Sequence, residues 1–141
     1  MDFIFEPYLS VGNIKFGMNR NEIENLFIEK PLFETIDFRN RIHLGWNDFS
    51  ILLNKKNLVA EVTFTPGESN RVLCNDIDIL NDSNIIKKLN KYETPIKGRG
   101  VKLYSSLGIA LIGNGKEKTL SLFDKETGEK WKKLILKYNL K

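Results

Sequence analysis

The chain contains one histidine and one cysteine, His43 and Cys74, and these residue types most often supply a nucleophile and its base. His43 stands between the apolar residues Ile42 and Leu44, so strand alternation puts its ring on the opposite, outer face of the sheet. Cys74 follows two apolar residues, a context typical of a small buried side chain. We therefore expect no Cys–His nucleophilic pair, and a single histidine and cysteine exclude a metal site built from several such ligands.

Three other patterns resemble binding motifs in part. Asp76, Asp78 and Asp82 have carboxylates at calcium-loop spacing, but the turn glycine and the terminal glutamate are absent. Gly113-Asn114-Gly115-Lys116 lacks the leading glycine spacing and the Ser/Thr of a P-loop. Gly98-Arg99-Gly100 lacks the third glycine of a dinucleotide fingerprint. The sequence therefore predicts a protein that is not an enzyme and that uses no cofactor.

Alternating apolar residues predict most of the chain to be strands. Their short connections favour antiparallel pairing, and the 113–116 segment is typical of a hairpin turn. The predicted strands are 33–38, 41–46, 49–53, 59–64, 101–105, 108–112 and 119–123.

Helix-capping residues predict three helices. The first begins at Asn19 or Asn21, with Glu22 in its first turn, and ends before Pro31. The second is capped by one of three polar residues, and the third begins near Asp124. The candidate caps of the second helix are Asn81, Asp82 and Ser83, and the third carries an apolar stripe of Trp131, Leu134, Ile135 and Tyr138.

These elements predict one α+β domain spanning residues 1–141. We expect an antiparallel twisted sheet of about six or seven strands, with helices packed on one face. The order of a helix followed by a meander occurs twice, which fits two degenerate helix-plus-meander repeats. The alternation that any two antiparallel meanders share explains the similarity equally well.

Composition and charge narrow the class of partner. The 141 residues are 41% hydrophobic and 28% charged, an ordinary globular mixture. The chain shows no signal peptide and no run of about 18 apolar residues, so we predict a cytoplasmic protein with no membrane association. A net charge of +4, with many lysines late in the chain, favours an acidic partner. The alternative is that these lysines only solvate outer faces.

One segment resembles a known helix start. Phe16-Gly17-Met18-Asn19, followed by Glu22-Ile23 and Leu26, is similar to the pattern in small bacterial α+β proteins related to the BamE/SmpA lipoproteins and the beta-lactamase-inhibitor protein. That pattern continues with Leu-Gly-x-Pro, whereas this chain has Phe27-Ile28-Glu29-Lys30-Pro31 without the glycine. The resemblance implies a tandem helix-plus-meander layout. In size and composition the chain also resembles bacterial immunity proteins, which neutralise a toxin by binding it.

We therefore expect a bacterial protein-binding inhibitor, an immunity protein for a cognate toxin or another protein partner. Because the chain is basic, the partner should be acidic or should meet a local acidic patch. The alternative is a nucleic-acid-binding module that uses the basic loop around Lys97, Arg99 and Lys102 together with the C-terminal helix. The residues predicted to contact the partner are Asp37, Asp48, Asp76, Asp78, Asp82 and Arg99.

Overall fold

The strands form two sheets around a shared core in the computed structural model, which describes residues 1–113 and 118–139. The strands are β1 (Asp2–Glu6), β2 (Ser10–Val11), β3 (Ile14–Lys15), β4 (Phe33–Ile36), β5 (Ile42–Trp46), β6 (Phe49–Leu53), β7 (Val59–Phe64), β8 (Arg71–Cys74), β9 (Ile77–Asp78), β10 (Ile96–Gly98), β11 (Val101–Tyr104), β12 (Ile109–Ile112) and β13 (Thr119–Phe123). The helices are α1 (Arg20–Leu26), α2 (Ile85–Leu89) and α3 (Lys125–Asn139). The predicted hairpin turn at 113–116 lies outside the described residues, apart from Gly113.

The larger sheet has eight antiparallel strands in the order β10-β11-β12-β13-β7-β6-β5-β4. The smaller has the order β3-β2-β1-β8-β9, in which β1 and β8 run parallel. The α+β class is confirmed, but the prediction of one sheet of six or seven strands is wrong. Several strands of the smaller sheet are only two residues long, too short for alternation to be visible in the sequence.

The main core lies between the two sheets. On the inner face of the larger sheet, Leu44, Ile51 and Val62 are fully buried. Two of the helices also contribute to this core, with Ile23 from α1 and Ile85 from α2. Helix α1 begins at its predicted cap, Asn19, whose side chain accepts the Glu22 N–H while the Glu22 carboxylate accepts the Asn19 N–H. The second helix begins later than predicted, after Asn84, which makes no side-chain cap bond.

The third helix packs on the opposite, outer face of the same sheet. Ile135 of α3 is buried against Leu103, Ala110 and Phe123, which alternate along their strands with residues of the main core. The prediction that the helices share one face is therefore wrong. The physical reason is that β11, β12 and β13 are apolar on both faces, so each face must be covered.

The large sheet consists of two four-stranded meanders that meet along β7 and β13. The meander β4–β7 follows α1, and the meander β10–β13 follows α2. Both halves therefore show the predicted helix-then-meander order. Only the second is followed directly by a helix on the outer face, so the outer face of β4–β7 stays open beside α3.

Candidate functional site

A groove of about 1050 Å³ lies on the outer face of the large sheet, between β5–β7 and helix α3. Its floor is a row of residues that the antiparallel register places directly opposite one another. His43 on β5 faces Leu52 on β6, and Leu52 faces Glu61 on β7. Ala60 and Leu134 add apolar surface. The floor is therefore largely apolar and contains one carboxylate and one imidazole.

The walls of the groove are strongly basic. Cations come from three separate elements: the β4–β5 connection, the β6–β7 turn and one side of α3. They outnumber the carboxylates of Asp37, Glu61 and Glu126 by more than two to one, which gives the groove a positive potential. The basic residues lining it are Arg39, Arg41, Lys55, Lys56, Lys130, Lys133 and Lys137.

Asp37 fixes the β4–β5 connection at one wall. Its Oδ1 accepts the backbone N–H groups of Arg39 at 2.9 Å and Arg41 at 3.0 Å. Its Oδ2 accepts Arg41 Nε at 2.9 Å and lies 3.0 Å from His43 Nε2. The bond to His43 is the main reason that the pKa of Asp37 lies well below its usual range, with the backbone N–H bonds acting in the same direction. Asp37 therefore stays ionised and orients Arg41 and His43.

Glu61 is the carboxylate in the floor. Burial raises the pKa of Glu61, while the bond from Trp131 and the charges of Arg41 and His43 act in the opposite direction. Trp131 Nε1 donates to Glu61 Oε1 at 3.0 Å, which ties α3 to β7. Glu61 thus contributes to the architecture of the groove as well as to its charge.

Two further contacts set the position of α3. The Asp124 carboxylate accepts the Thr127 N–H at 2.8 Å, which confirms the predicted cap, and the Asp124 N–H donates to Ala60 O at 2.9 Å. A Cβ added at Gly128 would lie 3.0 Å from the Phe123 ring, so glycine lets the helix approach the sheet closely. These contacts define the width of the groove.

The predicted partner-binding residues lie in several different turns. None of the six lines the groove itself, and Asp37 borders it through its bonds to the lining residues Arg41 and His43. Asp48 lies in the β5–β6 turn, Asp76 and Asp78 in and beside the β8–β9 turn, Asp82 before α2, and Arg99 between β10 and β11.

Two of the other predicted carboxylates, Asp78 and Asp82, have local structural roles. Asp78 Oδ1 accepts the N–H groups of Leu80 at 3.1 Å and Asn81 at 3.2 Å. Asp82 accepts the Asn84 N–H at 2.8 Å and pairs with Lys88. These bonds explain the carboxylate spacing as turn and capping chemistry.

The single cysteine and the single histidine lie on different sides of the large sheet. Cys74 is buried in the main core, and burial raises the pKa of its thiol. His43 lies on the outer face, as alternation predicts, so the two residues do not meet. Trp46 and Tyr104 are also buried in the main core and offer no stacking face. Across residues 1–113 and 118–139, no three His, Cys, Asp or Glu residues group as metal ligands.

Comparisons with known proteins identify no relative. No family model, curated protein or solved structure matches the chain. Within the described part of the chain, no helix has the length and apolar character needed to cross a membrane. The groove is therefore the feature from which a function can be inferred.

Sequence reasoning missed the groove as a site. Lys55 and Lys56 lie between two predicted strands, and Trp131 was predicted only as part of the apolar stripe of the third helix. The available signal was Glu61, a carboxylate in a strand between Ala60 and Val62 and in phase with His43 across the sheet. A charged residue in the middle of an apolar central strand indicates a face that is not simply core.

Proposed function

We propose that the protein is a non-catalytic cytoplasmic inhibitor that holds an acidic segment of a protein partner, such as a cognate toxin, in the basic groove. The observation that supports this is the combination of an apolar floor with cationic walls. An apolar side chain of the partner fits over Leu52 and Leu134, while carboxylates on either side of it meet the lysines and arginines.

The geometry favours recognition over chemistry. Asp37 holds Arg41 and His43 in place, so the cations of that wall are positioned before the partner arrives. Lys55, Lys56 and Lys133 are exposed and remain accessible to a binding partner. An inhibitor needs only this preformed, complementary surface to cover an active site.

A protein segment fits the groove better than a phosphate backbone does. The Glu61 carboxylate in the floor opposes phosphates that enter deeply. Trp131 is half-buried, and its N–H bond to Glu61 holds the ring against β7. The second candidate, a single-stranded nucleic acid, is favoured by one observation. Phe38 is 89% exposed at the groove wall, with the Arg39 guanidinium 5.4 Å from its ring centre.

Charge reversal in the groove tests the proposal. The tagged protein is expressed from its native locus, and proteins that co-purify in moderate salt are identified by mass spectrometry. The double variant Lys130→Glu/Lys133→Glu should lose a stoichiometric protein partner that the wild type retains, because it converts attraction along α3 into repulsion. With the purified partner, we expect the affinity to fall at least about tenfold.

The matched control is Lys87→Glu/Lys91→Glu, which makes the same charge change at exposed positions in and just after α2, away from the groove. It should keep the partner. Loss of the partner in both variants, or in neither, would contradict binding in the groove. Nucleic acid that co-purifies with the wild type and dissociates steeply with salt would favour the second candidate.

A further inference from the structure

The two edge strands of the large sheet differ in whether another element packs against them. At one edge, β10 is in contact with α3. At the other, β4 is the last strand, and no strand in residues 1–113 or 118–139 pairs with its far side. All four residues of β4 are exposed, and exposed large apolar side chains continue on both sides of it. The exposed fractions are 63% for Leu32, 50% for Phe33, 65% for Ile36 and 89% for Phe38.

The backbone of β4 presents hydrogen-bonding groups on its open side. The Asp37 N–H donates to Arg41 O on the β5 side. Because N–H groups alternate in direction along an antiparallel ladder, those of Phe33 and Thr35 also point toward β5, and those of Glu34 and Ile36 point outward. An apolar edge with outward N–H and C=O groups is a template for another strand.

We propose that this edge binds the same edge of a second copy, so that two β4 strands pair antiparallel about a two-fold axis at Thr35. In this register Glu34 faces Ile36 of the second copy and Ile36 faces its Glu34. Both pairs use the outward groups, and Thr35 faces Thr35 in the non-hydrogen-bonded position. The proposal stands independently of the proposed function.

The charges of the edge are compatible with a second copy as the occupant, because they are neutralised within each chain. Glu34 is already paired with Arg20, and Asp37 with Arg41, within the same chain. The two acidic residues of the edge therefore bring little uncompensated charge, and the Thr35-centred register puts no like charges opposite each other. A register centred on Glu34 would place two carboxylates face to face, which is unfavourable.

The surface available is sufficient for a specific contact. A phenylalanine side chain presents about 150–250 Å², so two phenylalanines together with Leu32 and Ile36 offer on the order of 400 Å² per chain. With the paired backbone, two chains bury about 1,000 Å², the lower limit for a specific interface. The register also brings Leu32 of one copy near Phe38 of the other at each end.

Sedimentation velocity of the full chain tests this directly. Between about 1 μM and about 1 mM, the mass should rise from 16.3 kDa toward twice that value. Thr35→Lys places two ammonium groups opposite each other and should raise the dimer dissociation constant at least about tenfold. Thr35 is exposed, so this variant should keep the wild-type circular dichroism spectrum.

A cysteine pair tests the register. Under mild oxidation, Thr35→Cys should form a covalent dimer, because residues in a non-hydrogen-bonded pair lie within disulfide range. Lys87→Cys, exposed on α2, is the control, and the native Cys74 is buried in both variants. A wild type that stays monomeric, a Thr35→Lys variant that dimerises like the wild type, or equal cross-linking of the two cysteine variants would each overturn the proposal.

Discussion

The two halves of the large sheet share a four-stranded meander but differ on their outer face. Over β10–β13, helix α3 covers the face and contacts the edge strand. Over β4–β7, the same face carries a basic groove, and no strand in residues 1–113 or 118–139 pairs with the far side of the edge strand β4. The difference shows that one additional helix, placed over only one of two similar meanders, leaves a groove at its side on the other meander.

The side chains of the two halves match this difference. In the covered half, Leu103, Ala110 and Phe123 point outward and are buried. In the open half, the outward positions include His43 and Glu61, whose polar groups are compatible with an accessible surface. The open half is therefore suited to contact with water.

The largest effect on stability is expected in α3, where one of two neighbouring residues lies over the covered half and the other lines the groove. Ile135 is 5% exposed in the covered half, and Leu134 is 47% exposed and lines the groove. Ile135→Ala should lower the free energy of unfolding by about 2–4 kcal/mol, because it leaves a cavity under the helix. Leu134→Ala should change it by less than about 1 kcal/mol. Urea unfolding measures both, and equal losses would show that α3 is not docked through one face.

A smaller effect is expected at Phe33, which covers part of the open half in place of a helix. Phe33 on β4 faces Gly45 on β5, and a Cβ added at Gly45 would lie 1.9 Å from the Phe33 ring. An aromatic ring over a glycine in a cross-strand pair contributes about 0.2–1 kcal/mol, so Phe33→Ala should cost about that much.

The control for Phe33 is Phe38→Ala, since Phe38 is exposed in a turn and should contribute almost nothing to the stability of the monomer. Both variants should be measured at low concentration, where self-association is negligible. A loss at Phe38 that matches the loss at Phe33 would mean that the ring does not stabilise Gly45.

The smallest effect on stability should come from the carboxyl groups of the groove. For Glu61, the bond from Trp131 and the nearby cations partly offset the rise in pKa that burial causes. Burial raises the pKa of Glu61 above 4.5. The folded state therefore binds this proton more tightly, and the free energy of unfolding should fall as the pH rises from 4.5 through the folded pKa. The Glu61→Gln variant lacks that fall. The stability of this variant relative to the wild type should therefore increase as the pH rises through the same range.

The pKa of Asp37 is shifted in the opposite direction, so its effect on the pH dependence of stability is also opposite. Mainly through the bond to His43, its pKa lies below the ordinary 3.8. The stability that Asp37 contributes is therefore present above pH 3.8 and lost as the pH falls. Thermal melts of the wild type, Glu61→Gln and Asp37→Asn between about pH 2 and pH 8 separate the two contributions. A difference between Glu61→Gln and the wild type that does not vary with pH would contradict the assignment.

Strong alternation made much of the large sheet predictable. Strands β5, β6, β7, β11, β12 and β13 lie within or close to their predicted ranges, and Asn19 and Asp124 cap α1 and α3 as predicted. The small sheet was not predictable, because a two-residue strand carries no period and a parallel pair such as β1–β8 leaves no turn signal between its partners.

The candidate site was predictable only in fragments. Alternation correctly put His43 on the outer face, whereas the acidic partner suggested by composition stays a prediction. The predicted contact residues were chosen for their charge, and charge alone does not distinguish Asp78, which organises a turn, from Asp37, which borders the groove. The distinction depends on which strands are neighbours, and a single sequence does not specify that order.

The parallel pairing of β1 with β8 has a consequence for folding during synthesis. Asp2 lies opposite Arg71, so β1 emerges from the ribosome almost 70 residues before its neighbour in the sheet. The β4–β7 meander, whose contacts are local, can form in that interval, whereas β1 has only β2 available as a neighbour and keeps its other edge unpaired until β8 is made. The vulnerable period for misassembly should therefore fall before β8 is translated, and a chaperone that protects the nascent chain would act on β1.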